Sequence, residues 1–269
     1  MTQKDLIFLK NWFSTYCESF YSLNPEDQKN IFLKVKHSLN VCENIIQIAG
    51  GLSLNQNETM LAETIALFHD IGRFPQYAKY KTFNDSISVN HGKLGAEVLH
   101  EERPLQNLSE DEQKLIINTV KLHNTYAIPY LENSESSRTD TDQKNILFLK
   151  LIRDADKLDI WRVFIEYYES NEAERASVAA HGLPDLPEYS EKILSCIYEK
   201  KTASMRNVKT LNDFKLMHLS WIYDLNFNTS FRLLLERDYI NKIITKLPQT
   251  DRIKKAFLLL HEFAYQKKN

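Results

Sequence analysis

Apolar residues recur along this chain at intervals of three and four, in blocks separated by short polar or Gly/Pro-bearing breaks, which is the period of the α-helix. Leu6, Phe8, Leu9, Trp12, Phe13, Tyr16 and Phe20 predict a packing helix within residues 3–22. Asn24-Pro25-Glu26-Asp27 reads as an N-cap, a first-turn proline and two acids at the positive end of the helix dipole. The helix they start runs through Ile31, Val35, His37, Leu39, Val41, Ile45 and Ile48 to Gly50-Gly51. After a polar restart at 53–58, Met60, Leu61, Ile65, Ala66, Leu67 and Phe68 predict a strongly apolar helix ending at His69-Asp70. Gly72 and Pro75 interrupt it.

From Phe74 to Asn90 the period is lost, and the aromatic and polar segment reads as a loop of the length that is often functional in helical domains. Asn90-His91 opens the next helix, which continues through Leu94, Val98 and Leu99 to Pro104. Ser109 with Glu112 has the form of a capping box. The helix behind it carries Leu115, Ile116, Thr119 and Val120 and ends at Leu122-His123-Asn124. Residues 132–142 are the most polar stretch and are expected to be a mobile loop. Ile146, Leu149, Ile152, Asp156, Val163 and Tyr167 then mark a long helix with a carboxylate on its inward stripe, where it needs a partner. Residues 181–188 break the pattern, and 189–268 read as three or four further helices.

Composition agrees with an all-α fold. Only 6 Gly and 7 Pro punctuate 269 residues, enough chain for one large domain or for a domain with an appended lobe. The net charge of -2 and the lack of a basic block give no reason to expect a nucleic-acid duplex or an anionic membrane as partner. Cys17, Cys42 and Cys196 lie far apart without CxxC spacing and read as reduced thiols. The start of the chain lacks the apolar run of a signal peptide, so the expectation is a soluble, cytoplasmic protein.

Chemistry enters with six metal-competent residues, His37, the adjacent His69 and Asp70, His91, His123 and Asp156, whose successive positions are each about one helix and a connection apart. Antiparallel neighbours would let them converge inside a bundle, where helical proteins build metal sites. Four imidazoles and two carboxylates exceed the needs of one tetrahedral ion. They suit one octahedral ion with open positions, or two ions bridged by a carboxylate such as Asp70. Asp154 and Asp159 compete with Asp156, which the inward stripe favours. His100, His181, His218 and His261 match no motif and read as surface or packing residues.

His37, Phe68-His69-Asp70-Ile71-Gly72-Arg73 and Asp154-Ala155-Asp156-Lys157-Leu158-Asp159 resemble the ordered His, His-Asp, Asp signature of the HD-domain metal-dependent phosphohydrolases. The resemblance covers about residues 30–165. Asn90-His91-Gly92-Lys93 and Leu122-His123-Asn124 resemble the two further histidines of dinuclear members. The resemblance implies an HD-type helical bundle over 1–180, with 181–269 as a C-terminal helical extension packed on the same core. It implies one or two divalent ions (Mn, Fe, Mg, Ni, Co or Zn). His37, His69, Asp70 and Asp156 would hold the first, and Asp70, His91 and His123 the second.

Hydrolysis of a phosphate ester or anhydride of a small molecule, above all a nucleotide, is the expected activity. It needs cations to balance phosphoryl charge. Arg73, Lys93 and Lys157 are the candidates, with Asp70 at the centre of catalysis; Arg73 has its own helix end, and Lys157 has Asp154 or Asp159, as alternative partners. Arg73, Lys93, Asn124 and Tyr77 are the expected substrate contacts, Tyr77 with Tyr80 and Phe83 offering a stacking surface. Asp85 is placed to orient a water or a histidine, or is a plain loop acid. The same ligand set also resembles the mixed-valent di-iron oxygenases of this superfamily, and a non-catalytic HD-fold binding module is a third reading. The C-terminal helices can complete the core, cover the cleft or form a homodimer interface.

Overall fold

Each major helix of the first half begins where a short polar side chain captures amides that the helix itself leaves unbonded. In the computed structural model, which describes residues 1–129, 138–171, 176, 178 and 182–268, Thr2 and Asp5 form a capping box at the start of α1 (Gln3–Glu18). Asn24 Oδ1 accepts from the Glu26 and Asp27 amides to start α2 (Pro25–Gly51). Asn55 with Glu58 caps α3 (Gln56–Phe68). After a tight turn come α4 (Arg73–Tyr80), α5 (His91–Glu102), capped by Asn90, and α6 (Glu110–Leu122), capped by Ser109 and Glu112. The 30-residue α7 (Asp140–Glu169) follows. No strand occurs among the described residues, so the fold is all-α.

The chain divides into two compact units within α7, Met1–Asp156 and Lys157–Asn269. In the first, α3 is the axis. Every residue from Met60 to Phe68 is buried, as expected of a helix apolar on all sides, because α1, α2 and α6 all pack against it. Phe13 and Phe68 meet Trp12 and Phe74 in edge and tilted ring contacts that extend this core to α1 and α4. Burial on α2 follows Ile31, His37, Ser38, Val41, Ile45 and Ile48, whereas Leu39, expected on the inner face, is 49% exposed. The same face carries a polar stripe of Asn30, Lys34, His37 and Asn44. Asn30 donates to Tyr77 Oη on α4 and Asn44 to the Ala155 carbonyl on α7, so the stripe fastens α2 to both helices.

Part of the expected 74–90 loop is helical. Pro75 sits in the first turn of α4, where its missing amide would have had no partner, and Lys81 closes the helix in the left-handed region at φ 53°. A 3-10 turn at Asp85–Ile87 occupies the rest of the connection. Two glycines bring the helix ends together. A Cβ at Gly72 would collide with the His91 carbonyl and the Gly95 amide, and one at Gly92 would lie 2.9 Å from the Lys121 carbonyl. The α3–α4 turn, the start of α5 and the end of α6 therefore approach backbone to backbone. Residues 132–137 of the expected mobile loop, and His181, lie outside the described residues; Asp140 already begins α7.

The second unit contains the remainder of α7 with α8 (Glu191–Tyr198), α9 (Leu211–Ser220), α10 (Asn228–Glu236), α11 (Tyr239–Ile244) and α12 (Asp251–Lys267). The expected three or four helices are thus five, since Asp238 in the left-handed region (φ 58°) separates α10 from α11. All ten residues of α9 are buried. Trp161 donates to the His218 carbonyl, and the His218 ring packs among Phe164, Phe214 and Trp221. Cys17 and Cys42 are buried, Cys196 is half-buried, and all three are free. No helix among the described residues is long and apolar enough to cross a membrane.

Candidate metal centre

The first unit brings all six candidate ligands to one place. His37 comes from the middle of α2, and His69 and Asp70 from the turn behind α3. His91 is the first residue of α5, His123 the residue closing α6, and Asp156 lies on α7. His37, His69, Asp70, His91 and His123 are at most 5% exposed. They form two groups that share one side chain. Asp70 Oδ2 lies 3.6 Å from His37 Nε2 and 3.7 Å from His69 Nε2; Asp70 Oδ1 lies 3.4 Å from His91 Nε2 and 4.0 Å from His123 Nε2. Asp156 Oδ1 joins the first group, 3.1 Å from His37 Nε2 and 3.7 Å from His69 Nε2.

Ring protonation states follow from where each histidine sits on its helix. The last carbonyls of a helix lack an intrahelical partner. His69 Nδ1 donates to the Ala66 carbonyl and His123 Nδ1 to the Val120 carbonyl, each at 2.7 Å. His91 Nδ1 donates to Asp85 Oδ2, also at 2.7 Å. With the proton fixed on Nδ1, Nε2 presents its lone pair to the centre, the arrangement a metal-binding histidine requires.

The Nε2 atoms of each pair face one another. His37 Nε2 and His69 Nε2 are 3.2 Å apart, and His91 Nε2 and His123 Nε2 are 3.1 Å apart. His91 and His123 Nε2 are both acceptors, and two buried acceptors this close repel unless a cation lies between them. Neighbouring ligands at ~2.1 Å from one ion are themselves ~3 Å apart, so both groups fit a divalent ion. The cluster thus divides into a four-donor set (His37, His69, Asp70, Asp156) and a three-donor set (Asp70, His91, His123).

The electrostatics keep both carboxylates charged and disfavour protonation of His91 and His123. Burial pushes the Asp70 carboxyl up, but Lys34, then His69, Arg73 and His91 outweigh it and hold it well below the usual carboxylate range. Burial also opposes ionisation of Asp156, but the adjacent His37 and then His69 outweigh it and hold this carboxyl well below the usual range too. Burial, reinforced by the neighbouring His91 and His69, pushes His123 down to about 3. Burial and then Arg73 lower His91 despite its bond to Asp85.

A histidine whose folded pKa is depressed gains no proton on mild acidification, while the unfolded chain does, so its contribution to stability falls as pH drops below the ordinary value of 6.5. Asp70 and Asp156 add to the loss at lower pH, because carboxylates with depressed pKa values lose their contribution as pH falls below 3.8. Chelator-treated protein should therefore melt at a clearly lower temperature at pH 5.5 than at pH 7.5. A melting temperature that rises or holds steady over that interval would contradict the depressed protonation of His91 and His123.

Around the ligands, Arg73 is held by four acceptors: Asp70 Oδ1 (3.3 Å), Asp85 Oδ1 (2.9 Å), Gln76 Oε1 (2.9 Å) and the Phe83 carbonyl (2.5 Å). Asn124 Nδ2 donates to Asp85 Oδ2 at 3.2 Å. Lys93 is exposed on the first turn of α5. Lys157, in the second unit, pairs with Asp224 at 2.8 Å. Tyr77 donates to Asp27 Oδ1 and accepts from Asn30, and with Phe20, Tyr21, Phe74 and Lys81 it lines a cavity of about 260 Å³. Asp159 is taken by Arg162 through two hydrogen bonds.

Lys34 is the residue the sequence reading passed over. Its Nζ lies 2.7 Å from Asp70 Oδ2 and 5.2 Å from the Phe83 ring centre. The signal available for it was its place in the Asn30, Lys34, His37 stripe of α2. Arg153 was missed as well; its guanidinium bonds the His123, Thr125 and Tyr126 carbonyls and so fixes the end of α6 that presents His123.

Comparison with known proteins agrees with this geometry. The family model of the HD domain matches residues 35–161, a span that begins just before His37 and ends just after Asp156. No curated protein and no solved structure matches the chain. HD domains bind divalent metals, and the two ligand groups are of the kind that does so. Residues 35–161 thus match an HD domain, and the His/Asp cluster they carry is consistent with the metal site of such domains.

Proposed function

We propose that this protein is a metal-dependent phosphohydrolase that cleaves a phosphate ester or anhydride of a small molecule, with a nucleotide as the substrate class. The observation that carries the reading is the shared carboxylate: Asp70 turns one oxygen toward each of two histidine pairs. His37, His69, Asp70 and Asp156 would hold one ion, and Asp70, His91 and His123 the other. When bound, such ions supply acidification of water and polarisation of phosphoryl oxygens. Everything else falls to the chain. Asp70 and Asp156 stay ionised, and Nδ1 hydrogen bonds aim His69, His91 and His123.

Lys34, with 16% of its side chain exposed and Asp70 as its ion-pair partner among the described residues, would meet a phosphoryl oxygen. Arg73 is held through Nε and Nη1 by four acceptors and steadies Asp70 and Asp85. Lys93 remains the exposed cation at the start of α5 for a more distant charge of the substrate.

The test is to strip the protein with chelator, reload it with Mn, Fe, Mg, Ni, Co or Zn in turn, and measure phosphate release from nucleotides and other small phosphate esters. Release with at least one ion, lost again on chelation, is expected; no release with any ion defeats the proposal. Four imidazoles among six donors also suit iron, which supports a di-iron oxygenase as the second reading. Substrate-dependent oxygen uptake by iron-loaded protein without phosphate release would decide for it.

A further inference from the structure

His91 differs from His69 and His123 in how its ring is held, and the difference traces to the helix. His69 and His123 close the C-terminal ends of α3 and α6, where unbonded carbonyls are at hand. His91 opens α5. A helix N-terminus presents amides and positive potential, not carbonyls, so an imidazole N–H there must find its acceptor outside the helix. Asp85 supplies it from the 3-10 turn. Asp85 Oδ2 accepts from His91 Nδ1 at 2.7 Å, from Asn124 Nδ2 at 3.2 Å and, weakly, from the His91 amide at 3.4 Å. Its Oδ1 accepts from Arg73 at 2.9 Å and Gln76 at 3.0 Å. Gln76, fully buried, also donates to Ser88 Oγ and the Val89 carbonyl, each at 2.9 Å. The turn bearing Asp85 is therefore fastened from both sides.

We infer that Asp85 is a positioning residue for the second metal ion: it fixes the His91 tautomer and ring orientation, and through them sets the affinity of the three-donor set without touching the four-donor set. A carboxylate behind a ligating imidazole raises the basicity of the ligand, and removing such a partner typically weakens metal binding by roughly 10–100-fold. The three-donor set is the one that needs this support, since it has no carboxylate of its own beyond the Asp70 it shares. The inference rests on the two-ion reading of the centre and is independent of whether the reaction is hydrolysis or oxygenation.

Co²⁺ titration of chelator-stripped full-length protein, followed by visible absorption and by metal content after gel filtration, tests it. Wild type is expected to take up two ions. Asp85→Asn and Asp85→Ala should bind the first as wild type does and the second about 10–100-fold more weakly, with Asp85→Glu recovering part of the difference. In the diamagnetic Zn²⁺ form, long-range ¹H–¹⁵N correlations should show the His91 Nδ1 proton lost to exchange in Asp85→Ala while those of His69 and His123 persist; a merely structural role for Asp85 would not separate the three rings. Circular dichroism establishes folding, and the isosteric Asp85→Asn decides if the alanine variant does not fold. Wild-type affinity for both ions in the asparagine variant, or equal weakening of both, overturns the inference. A wild-type protein that binds only one Co²⁺ overturns the two-ion reading itself, which is a different result.

Discussion

Replacing Asp70 with alanine should remove both metal ions at once and lower turnover by on the order of 10³-fold or more, while circular dichroism reports an unchanged helix content. No other ligand has this reach. Loss of His37 or Asp156 leaves the His91–His123 pair with Asp70, and loss of His123 leaves the four-donor set whole. Asp70 is the one side chain whose two oxygens face different histidine pairs, and it is 3% exposed. Its removal also takes from Lys34 its 2.7 Å partner and from Arg73 one of four acceptors, so cationic charge would gather where metal ions must enter. Asp70→Asn keeps the volume and separates charge from shape; it should weaken both ions as well. Metal analysis showing one ion retained at full occupancy in Asp70→Ala would refute the shared-carboxylate arrangement.

Lys34→Met should behave in the opposite sense. Both ions are expected to remain bound, because Lys34 is not a ligand, while kcat/KM for a phosphorylated substrate falls by roughly 10²–10³-fold, the usual consequence of removing one charge-stabilising donor at a reacting phosphoryl or acyl centre. Methionine preserves most of the apolar length of the lysine side chain, so lost packing is not the expected cause. In the metal-free protein the same substitution takes away the strongest positive influence on the Asp70 carboxyl, which should then ionise less readily. Measured metal content and steady-state kinetics on the same preparation separate the two roles. Wild-type kcat/KM in Lys34→Met would remove Lys34 from the substrate site.

Much of this was legible in the sequence because it is local. Thr2, Asn24, Asn55, Asn90 and Ser109 announce helix starts by chemistry that acts within three residues, and the apolar run of α3 announces a core helix. The six ligands could be named because their residue types are uncommon in such positions and their order resembles a family signature. What escaped was tertiary. Pro75 reads as a helix breaker, but in a first turn it starts α4. Leu39 fits the apolar period of α2, yet α3 covers a face that includes His37 and Ser38 instead. Asp85 was noted with two functions and a plain loop role left open, since nothing in residues 74–90 tells which histidine lies opposite. Lys34 carried no motif, and its importance comes from a carboxylate far along the chain. Five short helices rather than three or four fill 189–268 because breaks such as Asp238 depend on a backbone conformation that no periodicity reveals.

The hydrogen bonds from His69 to the Ala66 carbonyl and from His123 to the Val120 carbonyl tie each ligand to the last turn of its own helix. Fraying of that turn, normally the cheapest opening a helix undergoes, would swing the imidazole away and release the ion. By linkage, the ion must hold the turn closed. Metal binding at the centre is therefore coupled to slow amide exchange at the ends of α3 and α6, and metal occupancy is recorded in the local stability of the backbone as well as at the six side chains.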